Sequence, residues 1–185
     1  MLSAARTFTA LAVAILMVAS LPFALAASEG IGAPAPVEQL QVSPTAEVVA
    51  MINASRQQAG LAPLAVHPAL EAAAGSHSVD LAAEGSCLHE GSDGSTPEQR
   101  MRAAGYGTPL GEIVSCGQAS ATRAVEAWLA SDLHRALVEC TDCAEFGVGY
   151  DASTGGFRHY WTVNFGRPAV IGSAPLSLVR RVRLP

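Results

Sequence analysis

Phe157-Arg-His-Tyr-Trp-Thr-Val-Asn-Phe165 is the stretch on which the fold class turns. Phe157, His159, Trp161, Val163 and Phe165 stand at every second position, the period at which side chains of an extended strand share a face. The run Phe146-Gly-Val-Gly-Tyr150 lies just upstream, and Asp151-Ala-Ser-Thr-Gly-Gly156 between the two has the small and polar residues of a turn. The ending therefore reads as a hairpin. Residues 110–116 read as a further short strand. Everything before them is helical in pattern, so helices come first and strands late. That order indicates an α+β fold and not an alternating α/β one.

Working backwards, Ser120 caps a helix expected to run to Val138, with Val125, Trp128 and Leu129 on its buried face. Thr96-Pro-Glu-Gln99 is a capping box with proline at the first helical position, opening a short helix to Ala104. A helix over residues 68–84 aligns Leu70, Ala74, His77 and Leu81. Ser43-Pro44 opens another, which carries Val48, Val49 and Ile52 and stops at Gly60. Asn53-Ala-Ser55 is a glycosylation sequon inside that helix.

Residues 1–26 have the plan of a cleavable secretory signal. Arg6 is the only charge before Glu29, an apolar run spans positions 8–21, and Ala24-Leu-Ala26 supplies a cleavage site. A spanning helix needs about 20 apolar residues, more than this run holds, so no stable membrane anchor is expected once the signal is cut. The chain is therefore expected to be secreted or otherwise extracytoplasmic, in periplasm, wall or medium. Residues 27–42, rich in Ala, Gly and Pro, read as a flexible linker, residues 43–167 as one domain, and residues 168–185 as a tail with Arg180, Arg181 and Arg183. The tail reads as a solvated terminus. Beyond residue 26 the chain has ten Arg against sixteen Asp and Glu (10 − 16 = −6), which argues against nucleic acid as a partner. Lysine is absent throughout, a composition expected of a GC-rich bacterial genome.

Four cysteines in an exported chain point to disulfides. Three pairings of Cys87, Cys116, Cys140 and Cys143 are possible, and Cys87–Cys116 with Cys140–Cys143 is the favoured one. Cys140-Thr-Asp-Cys143 also has redox-motif or half-zinc-site spacing. However, it follows a helix and has no second close pair, which favours a structural bridge.

Of five histidines, His67 reads as a local cap, His77 as a packed core residue and His159 as a strand residue lining a surface or groove. His89 lies in the Gly- and Ser-rich stretch 86–95, His134 in Trp128-Leu-Ala-Ser-Asp-Leu-His-Arg135, and Glu112 between them in Gly111-Glu-Ile-Val-Ser-Cys-Gly117. The intervals from His89 to Glu112 and from Glu112 to His134 are not metal-ligand spacings, so spacing alone does not join the three. Arg135 is expected to pair with an acidic neighbour, and Trp128 and Trp161 to lie in the core.

The stretch Met51-Ile-Asn-Ala-Ser-Arg-Gln-Gln-Ala-Gly-Leu-Ala-Pro-Leu64 resembles the first helix of the CAP (or SCP) superfamily, in its bacterial branch. Five further stations follow in that family's order: His89; Gly94-Ser-Thr-Pro-Glu-Gln-Arg-Met-Arg-Ala-Ala-Gly-Tyr106; Gly111-Glu112; Trp128 to Arg135; and Gly147-Val-Gly-Tyr150 with Tyr160-Trp-Thr162. The resemblance implies a three-layer α-β-α sandwich with a cavity bearing two His and up to two acidic residues. The matching positions are His89, Glu112 and His134. The second acidic residue falls at Ser131, with Asp132 next door on another helical face, and the Asn that often follows the Glu is Ile113 here.

Two His and one Glu form a set able to hold zinc or another divalent ion with a place left for water. No cofactor is required by this reading. The same cluster without metal is a hydrogen-bonded group that holds loops together. The resemblance implies a secreted, non-enzymatic scaffold for an unknown lipid, small-molecule or protein ligand. The alternative is a metal-dependent hydrolase acting on peptide or cell-wall material. No nucleophile–base–orienter set is visible, so the scaffold is the reading favoured.

Overall fold

A computed structural model describes residues 42–168. The signal, nearly all of the linker, and the tail beyond Pro168 lie outside the described residues. The elements are α1 (Pro44–Gln58), β1 (Ala65–Val66), α2 (Pro68–Glu84), α3 (Pro97–Ala103), β2 (Pro109–Cys116), α4 (Ala121–Ala130), α5 (Asp132–Val138), β3 (Glu145–Ala152) and β4 (His159–Gly166). The expected caps are present: the Ser43 hydroxyl accepts from Ala46 N, and Thr96 and Gln99 exchange the two bonds of a capping box.

The four strands lie in the order β1-β3-β4-β2; β1 runs parallel to β3, and the other pairs are antiparallel. Helices cover both faces, giving the three-layer α-β-α sandwich of an α+β fold. On one face Trp161, Val163 and Phe165 of β4 meet Val48 and Ile52 of α1 and Val125 and Trp128 of α4. The opposite residues of β4, Tyr160, Thr162 and Asn164, are equally buried beneath α2. Thr162 and Asn164 are polar but not solvent-facing. The Ser78 hydroxyl of α2 donates to Thr162 at 3.0 Å, and Asn164 is taken up by the site described below.

The close seat of α2 on β3 explains Gly147 and Gly149. A Cβ at Gly149 would stand 2.2 Å from the Ala74 carbonyl carbon, and one at Gly147 would stand 2.1 Å from Glu71 N. Only a strand lacking side chains at these alternate positions lets the helix backbone approach so closely. Arg56, buried in α1, donates to Ala62 O, Val138 O and Cys140 O at 2.9, 2.7 and 2.9 Å, tying α1 to the end of α5. The Asn53 amide bonds Leu64 O and N at 3.0 and 2.8 Å, so the sequon asparagine is spent on the loop after α1.

Three expectations need correction. The helix expected over 120–138 is two helices, because Ser131 is extended (φ −99, ψ 122) between α4 and α5. The last expected strand begins at His159 and not at Phe157, which lies in the turn ahead of it and is half exposed. The two-residue strand β1 was not anticipated, being too short to show a period. Both disulfides form in the favoured pairing, with Cα–Cα distances of 6.1 Å for Cys87–Cys116 and 5.4 Å for Cys140–Cys143.

Gly149→Ala places a methyl group inside the α2 backbone, and we expect a loss of about 3 kcal/mol or more, read as a lowered denaturation midpoint. Replacing Cys87 and Cys116 together by Ser opens a loop of 29 residues and is expected to cost about 3–4 kcal/mol by the same measurement.

Candidate functional site: a buried carboxylate between two histidines and an arginine

Glu112 lies in the middle of β2, opposite Asn164 of β4 in the register, with its side chain 1% exposed. A carboxylate so buried needs a partner for each lone pair. Arg100, one turn into α3, supplies a guanidinium NH2 at 3.1 Å from Oε1 and 2.9 Å from Oε2. His89 Nδ1–H donates to Oε1 at 3.0 Å. The Asn164 amide, turned so that its oxygen accepts from Ala74 N at 3.1 Å, donates to Oε2 at 3.0 Å. The carboxylate thus holds α3, the 86–95 loop, β4 and, through Asn164, α2.

His89 reaches Glu112 because its loop is tethered. Cys87, just before it in the chain, is bridged to Cys116 at the end of the strand that carries Glu112. Arg100 also donates to His89 O at 2.9 Å and to Ser95 O at 2.8 Å, which fixes the loop on the α3 side. Because Nδ1–H is given to Glu112, the neutral His89 ring keeps its Nε2 lone pair free, and its side chain is half exposed. Beside it opens a cavity of about 390 Å³, lined by the polar His89, Thr96, Glu98 and Glu112 and by the apolar Pro97, Met101, Pro109 and Leu110.

His77, read from the sequence as core, is fully buried and also belongs to this cluster. Its Nε2 is 3.0 Å from Leu88 O, to which it donates, and 3.7 Å from Glu112 Oε1. Burial drives its pKa below the ordinary histidine value, helped by the Arg100 charge and opposed by Glu112, the Leu88 bond and Asp80. His134, on α5, is half buried. Burial, and then repulsion from His89 when that ring is protonated, push its pKa down. Neither His134 nor Ser131 bonds Glu112; Ser131 forms the break between α4 and α5. Arg135 pairs with Asp132 at 2.6 Å. His67 Nδ1 accepts from Ala69 N at 3.2 Å as the cap of α2, and His159 Nδ1 is 2.8 Å from the Tyr150 hydroxyl.

The zinc set expected from His89, Glu112 and His134 does not fit with Glu112 as a ligand in this arrangement. A zinc-bound carboxylate oxygen lies about 2.0–2.2 Å from the ion, and Glu112 gives its lone pairs to a guanidinium, an imidazole and an amide. Among the described residues, no three His, Cys, Asp or Glu side chains are grouped to hold a metal. What the geometry does fit is Glu112 orienting His89 from behind, the relation a carboxylate has to a histidine whose other nitrogen binds something.

Arg100, Asn164 and His77 were missed as site residues. Arg100 carried a usable signal, standing one turn into a capped helix in the same motif stretch. Asn164 would have been found from the strand register alone, opposite Glu112. It supplies to the carboxylate the kind of amide bond that Ile113 lacks.

A disulfide-tethered loop that delivers a histidine to a carboxylate at the edge of a helix-covered sheet defines an α-β-α sandwich of the cysteine-rich secretory type. The sequence model of the cysteine-rich secretory protein family, CAP, matches residues 36–165, and the chain belongs to that family. It is 31% identical to YkwD of Bacillus subtilis over 121 residues, which covers 64% of this chain and 45% of YkwD. An extracellular protein containing an SCP domain from Bacillus anthracis superposes with a TM-score of 0.62 at 24% identity, covering 68% of this chain and 40% of that one. An outer surface protein of Borrelia burgdorferi gives 0.62 at 23% identity, covering 69% of this chain and 97% of that one. A cysteine-rich secretory protein of Staphylococcus aureus gives 0.51 at 23%, covering 72% and 41%. These structures share the fold. The chain spans less than half the length of YkwD and of the Bacillus anthracis and Staphylococcus aureus proteins.

Glu112→Ala leaves the largely buried Arg100 without its counter-charge, and we expect a loss of about 3–5 kcal/mol, whereas Arg100→Met with Glu112→Leu together should cost less than Glu112→Ala alone. A chemical-denaturation series of the three proteins reads this. His77 and His134 titrate lower in the folded chain than in the unfolded one, so the unfolded chain binds more protons near and below pH 6.5. Stability is therefore expected to fall as pH drops through 6.5 and to be flat just above it, with a shallower fall in His77→Gln, measured as denaturation midpoint against pH.

Proposed function

We propose that this domain is a secreted, non-enzymatic binding module of bacterial origin that takes a ligand in the cavity beside His89, with no metal required. One observation carries the reading. The buried carboxylate of the cluster, Glu112, is fully engaged by Arg100, His89 and Asn164, so it is not free as a general base, a nucleophile or a metal ligand. Its work is to hold His89, which lines a cavity of mixed polar and apolar character. A hollow with polar groups from His89, Thr96 and Glu98 beside apolar Pro97, Met101, Pro109 and Leu110 suits an amphipathic ligand, a lipid or small molecule with a hydrogen-bond donor at one end.

Export is supported by the signal-like stretch over residues 1–26 and the two disulfides, and by relatives described as an extracellular protein and an outer surface protein. Among the described residues no helix is long and apolar enough to cross a membrane.

Expressed in a bacterium, the chain should be recovered outside the cytoplasm with an N-terminus at Ala27, read by N-terminal sequencing. After dialysis it should retain no stoichiometric zinc and should leave peptidoglycan and casein intact. One zinc per chain lost in His89→Ala, or turnover abolished by that substitution, would overturn the reading.

A further inference from the structure

The side chain of Glu112 is fully engaged, but its main chain is not. β2 is the last strand of the sheet, and its only strand partner among the described residues is β4. In an antiparallel ladder, alternate residues turn their N–H and C=O toward the partner or away from it. Gly117 N donates to His159 O at 2.8 Å, in the register that sets Glu112 opposite Asn164. Counting back by twos from Gly117, Ser115, Ile113 and Gly111 face β4, so Glu112 and Val114 face outward from the edge. The other side of β4 gives the same parity. Ser153 N donates to Arg158 O, which turns Thr162 and Asn164 toward β3 and away from β2. Val114 O is taken by the Trp128 indole N–H at 3.0 Å, so α4 closes the edge there. Glu112 differs: the whole residue is 7% exposed and its side chain 1%, so what is open is main chain, and the residue lines the cavity beside His89.

An outward N–H and C=O of one strand residue are matched together by a single residue of an extended peptide, which returns a C=O and an N–H. A fatty chain matches neither group, and a carboxylate matches only the N–H. We propose that the cavity takes a short, cationic, extended peptide that adds to β2 as an antiparallel strand. The peptide residue opposite Glu112 donates its N–H to Glu112 O and accepts from Glu112 N–H. Side chains of directly opposite residues share a face, so this residue and every second one along the peptide lie toward α3, against Pro97, Met101 and Leu110. Those positions call for apolar side chains. The charge of the peptide follows from that of the domain. Residues 42–168 hold seven Arg and fourteen Asp and Glu (7 − 14 = −7), and the exposed Glu98 stands at the cavity. The bulge between Pro109 and Gly111 and the Trp128 cover leave a short opening, which suits a peptide and not the long edge of a second copy. The inference rests on the reading of this cavity as a binding site and narrows its ligand to a peptide.

The test is NMR of the whole exported chain, read at the Glu112 amide and the Met101 methyl, with acetyl-Arg-Val-Arg-Val-Arg-amide as the probe. Two isomeric analogues accompany it, one N-methylated on both Val nitrogens and one on two Arg nitrogens. Without probe, Glu112 N–H should exchange rapidly with solvent. The peptide should slow that exchange and move the resonance downfield saturably. Methylation of the Val nitrogens, which face β2 when Val lies against the apolar wall, should weaken binding at least about tenfold, and methylation of the Arg nitrogens should not. Octanol is added to a separate sample as a probe of the cavity alone. If octanol moves Met101 while the peptide leaves Glu112 unchanged, or if both analogues bind alike, the peptide proposal is overturned and the cavity reading stands. If neither probe moves Met101, both are overturned. A Glu112 N–H protected from exchange before any probe is added means that the chain or a second copy already closes the edge, which also overturns the proposal.

Discussion

The carboxylate of Glu112 is almost wholly buried, and the arrangement around it follows from that. An unpaired charge at this depth is costly, so the fold must bring donors to it from several elements at once. Arg100 comes from α3, His89 from the loop after α2, and Asn164 from the neighbouring strand. Replacing a buried pair of this kind by apolar residues is often neutral for stability, whereas removing one partner is not. Its value to the molecule is therefore placement more than net binding energy. It fixes where α3 and the 86–95 loop sit against the sheet, and with them the walls of the cavity.

Two covalent and steric constraints make that placement possible. The Cys87–Cys116 bridge anchors the loop to the end of β2, on the same strand as Glu112, so His89 has little freedom to leave it. The glycines at 147 and 149 let α2 lie directly on β3, which brings His77 and Ala74 close enough to join the network. A wider helix–sheet spacing would leave Asn164 without its Ala74 partner and the carboxylate with one donor fewer. The helix break at Ser131 acts in the same region, because it re-aims the chain that carries His134.

The pair of histidines expected as equals have different roles. His89 is held by a carboxylate and presents one nitrogen outward, while His134 is repelled by that ring when it is protonated and does not touch Glu112. His77, set aside as core because it lies on an apolar helix face, is core by burial and polar by partner. Helical periodicity registers the first property and is blind to the second, since what a buried imidazole bonds to is supplied by other elements.

Local chemistry in the sequence was enough to determine much of this protein. Capping residues and prolines set the starts of α1, α2 and α3. The two-residue alternation in β4 and the turn before it set the hairpin, and the order of motifs set the family and with it the sandwich. These features are legible because each depends on neighbours within a few residues. Tertiary structure alone decided which groups meet at Glu112. Arg100, Asn164 and His77 stand on three other elements, and strand register, a disulfide and close helix–sheet packing bring them to the carboxylate. The charge of one buried carboxylate is a local fact, but its satisfaction depends on the whole fold.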